Sequence, residues 1–328
     1  MAFIIIALNA ESTLEKLFEC LRKQSYPHEL IEVILVDSHS IDSTKEIMIR
    51  FKSENPVNGC FKRVVVLDNP KKTLPCGWNV ALKAVQSDTV LRVDAHTVLP
   101  DQFIELNVKN ISNGENICGG KVISIPAESN HWSNVVNQAE NSMFGGSIAS
   151  FRHADTARYV STAAFAMYRK SVFDAVGQYN EQLTRTEDNE MHYRMKKAGF
   201  QFYYDPMIKS YRYTRATLGA LLKQKYLNGY WIGRTLKVEP RCFSLYHFVP
   251  LAFVLAIIFS TVIALVGIVW PAAVLWCAYG IVNLLMSIAS VVECKERSLY
   301  LFFLPVMFLL LHIVYGAGTI MGVLGIKL

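Results

Sequence analysis

Three acidic clusters carry the chemistry open to this chain: Asp37 with Asp42, Asp94 one residue away from His96, and Glu187 beside Asp188. Asp94-Ala-His96 sets a carboxylate and an imidazole in the turn directly after an apolar strand, where both can face one cation. Glu187 and Asp188 follow Thr186 at a helix start. Acidic side chains there complement the helix dipole, which accounts for them at least as well as a functional role does. Asp37 and Asp42 divide the same way, between loop or N-cap duty and contact with a ligand. Acidic strand ends ahead of an apolar C-terminal block suggest an enzyme that handles a phosphorylated, metal-bound donor at a membrane surface.

The elements that must hold these residues alternate between short apolar strands and amphipathic helices. Phe3 to Leu8 reads as a buried strand, too short and without the basic leader of a signal peptide. Ser12-Thr-Leu-Glu15 follows as a capping box, with Leu14, Leu17, Phe18 and Leu21 at helical spacing. Strand Glu32 to Val36 leads through Asp37 into a second capping box, Ser43-Thr-Lys-Glu46. Strand Arg63 to Leu67, a helix around Asn79 to Val85, and strand Thr89 to Val93 complete a βαβαβαβ pattern. That pattern predicts an α/β fold with a largely parallel sheet, whose ligands bind outside the carboxyl ends of the strands. Asn9, Asp37 and Asp94 fall at such ends. Glu187 and Asp188 open a helix with Met191 and Met195 on one face, Lys196 and Lys197 in the last turn and Gly199 as the stop. Pro70-Lys-Lys-Thr73 reads as a solvated turn, Gly119-Gly120 and Gly145-Gly146 as turns, and His131, His153 and His192 as surface or capping residues.

The chain has 328 residues, a formal net charge of +6 and 52% hydrophobic residues. The apolar excess lies at the C-terminal end, where spans are expected at about 245–269, 271–292 and 299–326, each long enough to cross roughly 30 Å of hydrocarbon. Arg234, Lys237 and Arg241 precede the first span, Lys295 and Arg297 lie between the second and third, and the turn at Trp270 has no cation. The positive-inside rule then places the N-terminal domain in the cytosol. The expected division is a catalytic domain over 1–205, an interfacial segment over 206–244 and a membrane anchor over 245–328. Seven scattered cysteines without a CxxC pair point to a reducing compartment and away from zinc or a disulfide framework. There is no GxGxxG, P-loop or nucleophile elbow, and no nucleic-acid partner is expected.

Four segments in order, Ile4-Ile-Ile-Ala-Leu-Asn-Ala-Glu11, Val36-Asp-Ser-His-Ser-Ile-Asp-Ser-Thr44, Asp94-Ala-His96 and Thr186-Glu-Asp188, resemble the inverting glycosyltransferases of family 2, with the GT-A fold. The resemblance covers about residues 3 to 235. It is nearest to the membrane-anchored enzymes of succinoglycan biosynthesis, which share the Arg92-Val-Asp-Ala-His96 run. It implies a nucleotide-sugar donor contacted by Asn9, Glu11, Asp37 and Asp94, and a divalent cation, Mn²⁺ or Mg²⁺, held by Asp94 and His96. It also implies Asp188 as the general base with Glu187 beside it. Ile6 stands where the family often has Pro, and Leu8 where it often has an aromatic residue.

Ahead of the apolar block lies a basic, aromatic stretch that includes Tyr211, Arg212, Arg215, Lys223, Lys225, Tyr230 and Trp231. It fits either a headgroup-depth belt or a site for a lipid-linked acceptor. Gln224 to Trp231 loosely resembles the family's QxxRW element, without its Arg. The activity so implied is transfer of a sugar to a hydroxyl of a lipid-linked (polyprenyl) saccharide in polysaccharide biosynthesis, at the inner or plasma membrane. The alternatives are a polyprenyl-phosphate glycosyl synthase and a non-catalytic membrane subunit that binds a nucleotide or a partner.

Overall fold

A computed structural model describes the chain except for residues 59, 127, 129, 147–153, 295–297 and 328. Lys295, Arg297 and His153 therefore lie outside the described residues. Two compact units emerge, 1–123 with 149–213, and 124–148 with 214–328.

In the first unit, β1 (Ala2–Ala7) leads to α1 (Glu11–Arg22), β2 (Glu32–Asp37) to α2 (Thr44–Asn58), and β3 (Arg63–Asp68) to α3 (Leu74–Ala84). β4 (Thr89–Asp94) and the short β5 (Thr97–Val98) follow, then α4 (Phe103–Ser112) and β6 (Ile117–Ile125). After α5 (His131–Asn141), which belongs to the second unit, come β7 (Arg158–Val160), β8 (Met167–Arg169), α6 (Lys170–Val176), α7 (Glu187–Lys197) and β9 (Phe202–Tyr213). The sheet order is β3-β2-β1-β4-β8-β6-β9-β5, with β7 paired to β9. The first four strands are parallel, as the alternating pattern predicts. The pairs β4–β8, β6–β8, β5–β9 and β7–β9 are antiparallel, so the sheet is mixed beyond β4.

β1 is apolar at every position because helices cover both faces of the sheet. Its odd residues Phe3, Ile5 and Ala7 pack with Leu14, Leu17 and Phe18 of α1. Its even residues Ala2, Ile4 and Ile6 pack with Trp78 and Ala81 of α3.

Three sequence expectations change. α1 begins at Glu11 with Ala10 at the N-cap, so Ser12 sits inside the first turn and is not the cap. Gly119 and Gly120 lie within β6 and make no turn. A Cβ at Gly120 would stand 1.9 Å from the carbonyl oxygen of Ile208 on β9, so only glycine lets these backbones approach. His192 is neither surface nor cap: it is buried on α7, with Nδ1 2.8 Å from Thr162 Oγ1 and Nε2 3.0 Å from Tyr168 OH.

The second unit adds α8 (Leu218–Thr235), α9 (Val249–Leu265), α10 (Trp270–Glu293) and α11 (Leu304–Leu324) to α5. Leu245–Leu265, Trp270–Glu293 and Leu299–Leu324 are long and apolar enough to cross a membrane. The boundary expected at residue 206 falls inside β9. α8 runs against α11 at backbone distance: a Cβ on Gly229 would lie 2.0 Å from the carbonyl oxygen of Tyr315, and one on Gly322 would lie 2.0 Å from that of Tyr230. Small residues at such a seam allow close van der Waals packing where burial against lipid gives little driving force.

Gly229→Leu should open this seam and destabilise the protein by about 1–3 kcal/mol, read as a lower thermal midpoint in detergent. Gly219→Leu on the same helix, where a Cβ meets nothing within 4 Å, serves as the control. Burial also pushes the His192 imidazole down to about 3. The unfolded chain then takes up a proton below about pH 6.5 that the folded chain refuses. Stability present above that pH should fall toward pH 3, by up to about 1.4 kcal/mol per pH unit. Urea titrations at stepped pH would show this, with a shallower acid slope in His192→Asn.

Candidate active site

The parallel register aligns the carboxyl edge of the sheet. Asp37 pairs with Ala7 on one side and Asp68 on the other, and Asp94 pairs with Ile6. Two loops leave this edge, and their polar side chains fasten them to each other. Asn9, held at φ 52°, accepts a hydrogen bond at Oδ1 from the Ile41 N–H (2.9 Å) and donates its own N–H to Ser40 Oγ (3.0 Å). Glu11 accepts from the Ser43 N–H (2.9 Å), while Asp42 accepts from the N–H groups of Glu11 (3.2 Å) and Thr44 (3.1 Å). Asn9 and Glu11 thus tie the two loops together at the carboxyl edge of the sheet. Asp37 is buried, accepts from the Ser40 N–H (3.2 Å), and offers its carbonyl to the Asn69 N–H (2.8 Å).

Asp94 is the last residue of β4, and His96 occupies the turn before β5. Both are half-buried, while Ala95 between them enters the core. Among the described residues no group of three His, Cys, Asp or Glu side chains could hold a metal. Asp94 and His96 are a carboxylate and an imidazole one residue apart, a pair of mixed type that two-ligand binding of a cation would draw on.

Two residues before Asp94, and so on the same strand face, stands Arg92. It is 8% exposed. Its guanidinium lies 4.7 Å from the Trp78 ring centroid and 5.9 Å from that of Tyr179. One amine meets Glu187 Oε1 at 3.3 Å and the other donates to Asp188 Oδ1. Burial opposes the charge, but Tyr179, Glu187 and Asp94 outweigh it and push the guanidinium above its ordinary value. Glu187 is 2% exposed, and burial raises its pKa against the pull of Arg92. Its Oε2 is buried without a hydrogen-bond partner. Asp188 keeps its side chain 42% exposed. α7 positions the pair as expected, with Thr186 at the N-cap, Lys196 and Lys197 in the last turn and Gly199 at φ 90°.

Sequence reasoning assigned no role to Arg92, Trp78 or Tyr179. The available signal was a lone charge inside Val90-Leu-Arg-Val93, since a cation in a buried strand requires a counter-charge. The turn at Pro70 is tied down by Lys71, which pairs with Glu181; hydrogen bonds from Lys71 and Asn79 hold that carboxyl down at about 2. Gln224 and Trp231 lie in the second unit, both half-buried and two turns apart on α8, and Gln224 accepts a 3.4 Å hydrogen bond from Arg215.

Residues 2–177 match the model of glycosyl transferase family 2, a span that includes Asp37, Arg92, Asp94 and His96 and stops short of Glu187. A succinoglycan biosynthesis protein of Rhizobium meliloti is 31% identical over 85% of this chain and 84% of its own length. A dolichyl N-acetyl-α-D-glucosaminyl phosphate 3-β-D-2,3-diacetamido-2,3-dideoxy-β-D-glucuronosyltransferase of Methanococcus voltae is 22% identical over 99% and 97%. Among solved structures, a mannosyltransferase from Pyrobaculum calidifontis in complex with GDP-Man and Mn²⁺ superposes with a TM-score of 0.62 at 14% identity, covering 99% of this chain and 87% of that one. These likenesses show the GT-A-type fold. With more than half of its length inside the family match and its acidic strand ends where the fold gathers ligands, the chain belongs to glycosyl transferase family 2.

Proposed function

We propose that this glycosyltransferase is a membrane-anchored, inverting enzyme that moves a sugar from a nucleotide donor to a hydroxyl of a lipid-linked saccharide in polysaccharide biosynthesis. One observation carries the reading: the guanidinium of Arg92 joins the strand that ends in Asp94 to the helix that presents Asp188. Two carboxylates with separate duties thereby occupy one site. The name of the archaeal relative, with its dolichyl-linked sugar phosphate, favours a lipid-linked acceptor, and three helices long and apolar enough to cross a membrane would keep the enzyme beside it. Arg234, Lys237 and Arg241 ahead of the first apolar helix support a cytosolic catalytic domain.

Asp37, at the edge formed by β2, faces the nucleotide, with Asn9 and Glu11 holding the loops beside it. Asp94 and His96 would hold a divalent cation, which would supply positive charge to offset that of the departing diphosphate. Asp188 accepts the proton of the acceptor hydroxyl as that oxygen attacks the anomeric carbon from the face opposite the nucleotide; its exposure leaves room for the acceptor. Gln224 and Trp231 are candidates for acceptor contact.

Membranes containing the protein, incubated with a panel of labelled nucleotide sugars, should pass label from one donor into the lipid extract. Asp188→Asn should lower that transfer by at least about 10²-fold while leaving the donor's KM within a few-fold. Transfer that survives this change would sink the assignment and point to a phosphate-oxygen acceptor, which needs no base. Chelation with EDTA should stop transfer and added Mn²⁺ or Mg²⁺ restore it, and Asp94→Asn should raise the metal concentration needed for half-maximal rate. A rate indifferent to EDTA would remove Asp94 and His96 from their role.

A further inference from the structure

We infer that Arg92 is the positioning residue of the acceptor-side base: by holding Asp188 Oδ1 it leaves the second carboxylate oxygen to face the acceptor hydroxyl. The inference rests on Asp188 being the base. A guanidinium that is 8% exposed needs a counter-charge, and Glu187, at 2% exposure, already provides one. Asp188 is in a different position. With its side chain 42% exposed it is solvated by water and needs no buried partner. The bond from Arg92 to Asp188 therefore does not rescue a desolvated carboxylate, and its effect is to select one rotamer from those open to an exposed side chain.

The guanidinium is suited to this because it is a rigid planar fork, able to bind two carboxylates at a set spacing where an ammonium acts as a single point charge. Its plane is held in turn. Trp78 from α3 and Tyr179 from the segment before α7 flank it at 4.7 Å and 5.9 Å. Tyr179 is pinned through its backbone: its N–H donates to Asn79 Oδ1 (2.8 Å), and Asn79 Nδ2 donates to its carbonyl (2.9 Å). A chain of fixed contacts thus runs from α3 through Tyr179 and Arg92 to Asp188. Because Arg92 and Asp94 share a strand face, the same residue sets the base relative to the donor end of the site.

The test is kinetic, in membranes, with whichever labelled nucleotide sugar the wild type transfers. Arg92→Met keeps the length of the side chain and removes the fork; it should lower kcat by about 10²-fold, the size expected for a misplaced catalytic group, with the donor's KM within about threefold. Arg92→Lys should recover only part of the loss. Should Arg92→Met fail to accumulate in the membrane, Arg92→Lys, which keeps the buried charge, carries the same measurement. The deciding comparison is the double variant: on an Asp188→Asn background either Arg92 change should alter the residual rate by less than about twofold, because the group it positions is gone. An equal loss from Arg92→Met with and without Asp188, or an unchanged kcat in Arg92→Met and Arg92→Lys, would overturn the inference. Full transfer by Asp188→Asn alone would instead refute the base assignment on which it stands.

Discussion

A guanidinium in the middle of an apolar sheet is unstable unless the fold surrounds it with carboxylates, and that requirement organises this site. Arg92 sits on β4 among Val90, Leu91 and Val93, each buried. To satisfy it, α7 must deliver Glu187 and Asp188 to the same face of the sheet, although nearly a hundred residues of chain separate them from Arg92. Trp78 and Tyr179 close the remaining sides. Removing Glu187 would leave the buried guanidinium without its desolvated counter-charge, which costs several kcal/mol. The ion cluster is therefore better understood as a specifier of geometry than as a source of stability: an apolar residue at position 92 could pack the core, but it could not fix where α7 begins.

The same logic holds at the carboxyl edge. Register places Asp37 beside Asp68, with Asp94 across β1 and level with Ile6, and neighbouring carboxylates repel. The fold tempers this by giving them different surroundings. Asp68 takes Lys45 at 2.6 Å, Asp37 accepts a backbone N–H, and Asp94 lies two residues from Arg92. Asp94, with His96 two residues on, is the proposed cation ligand. The loops after β1 and β2 are bound to each other by Asn9, Glu11, Asp42 and Thr44.

Much of this was legible from residue order. Apolar runs broken by capping residues located β1 to β4 and their crossovers, and the strand-end rule found Asp37 and Asp94. The apolar C-terminal runs located three helices to within a few residues. What escaped shares one physical cause, dependence on partners remote in sequence. The antiparallel strands β7 and β8 are three residues each and carry no periodicity of their own. Gly119 and Gly120 resembled a turn because only the passage of β9 explains a glycine in the centre of a strand. His192 resembled a surface residue because its partners Thr162 and Tyr168 lie outside α7. Arg92 was visible as a residue and silent as a role, since its meaning lies in two carboxylates on another element.

The division of labour between the two ends of the site follows from burial. Glu187 and Asp188 are neighbours in sequence and share one cation, yet the first is sealed in the core and the second faces solvent. Burial raises the proton affinity of Glu187 and isolates it from any acceptor, which suits a residue whose work is to anchor Arg92. In the proposed assignment Asp188 is free to meet a hydroxyl because Glu187 carries the desolvated half of the ion pair. A single carboxylate could not do both, for one buried deeply enough to neutralise Arg92 would be out of reach of the acceptor. Helical geometry supplies the answer, since consecutive residues in the first turn of α7 point about 100° apart, one inward and one toward solvent.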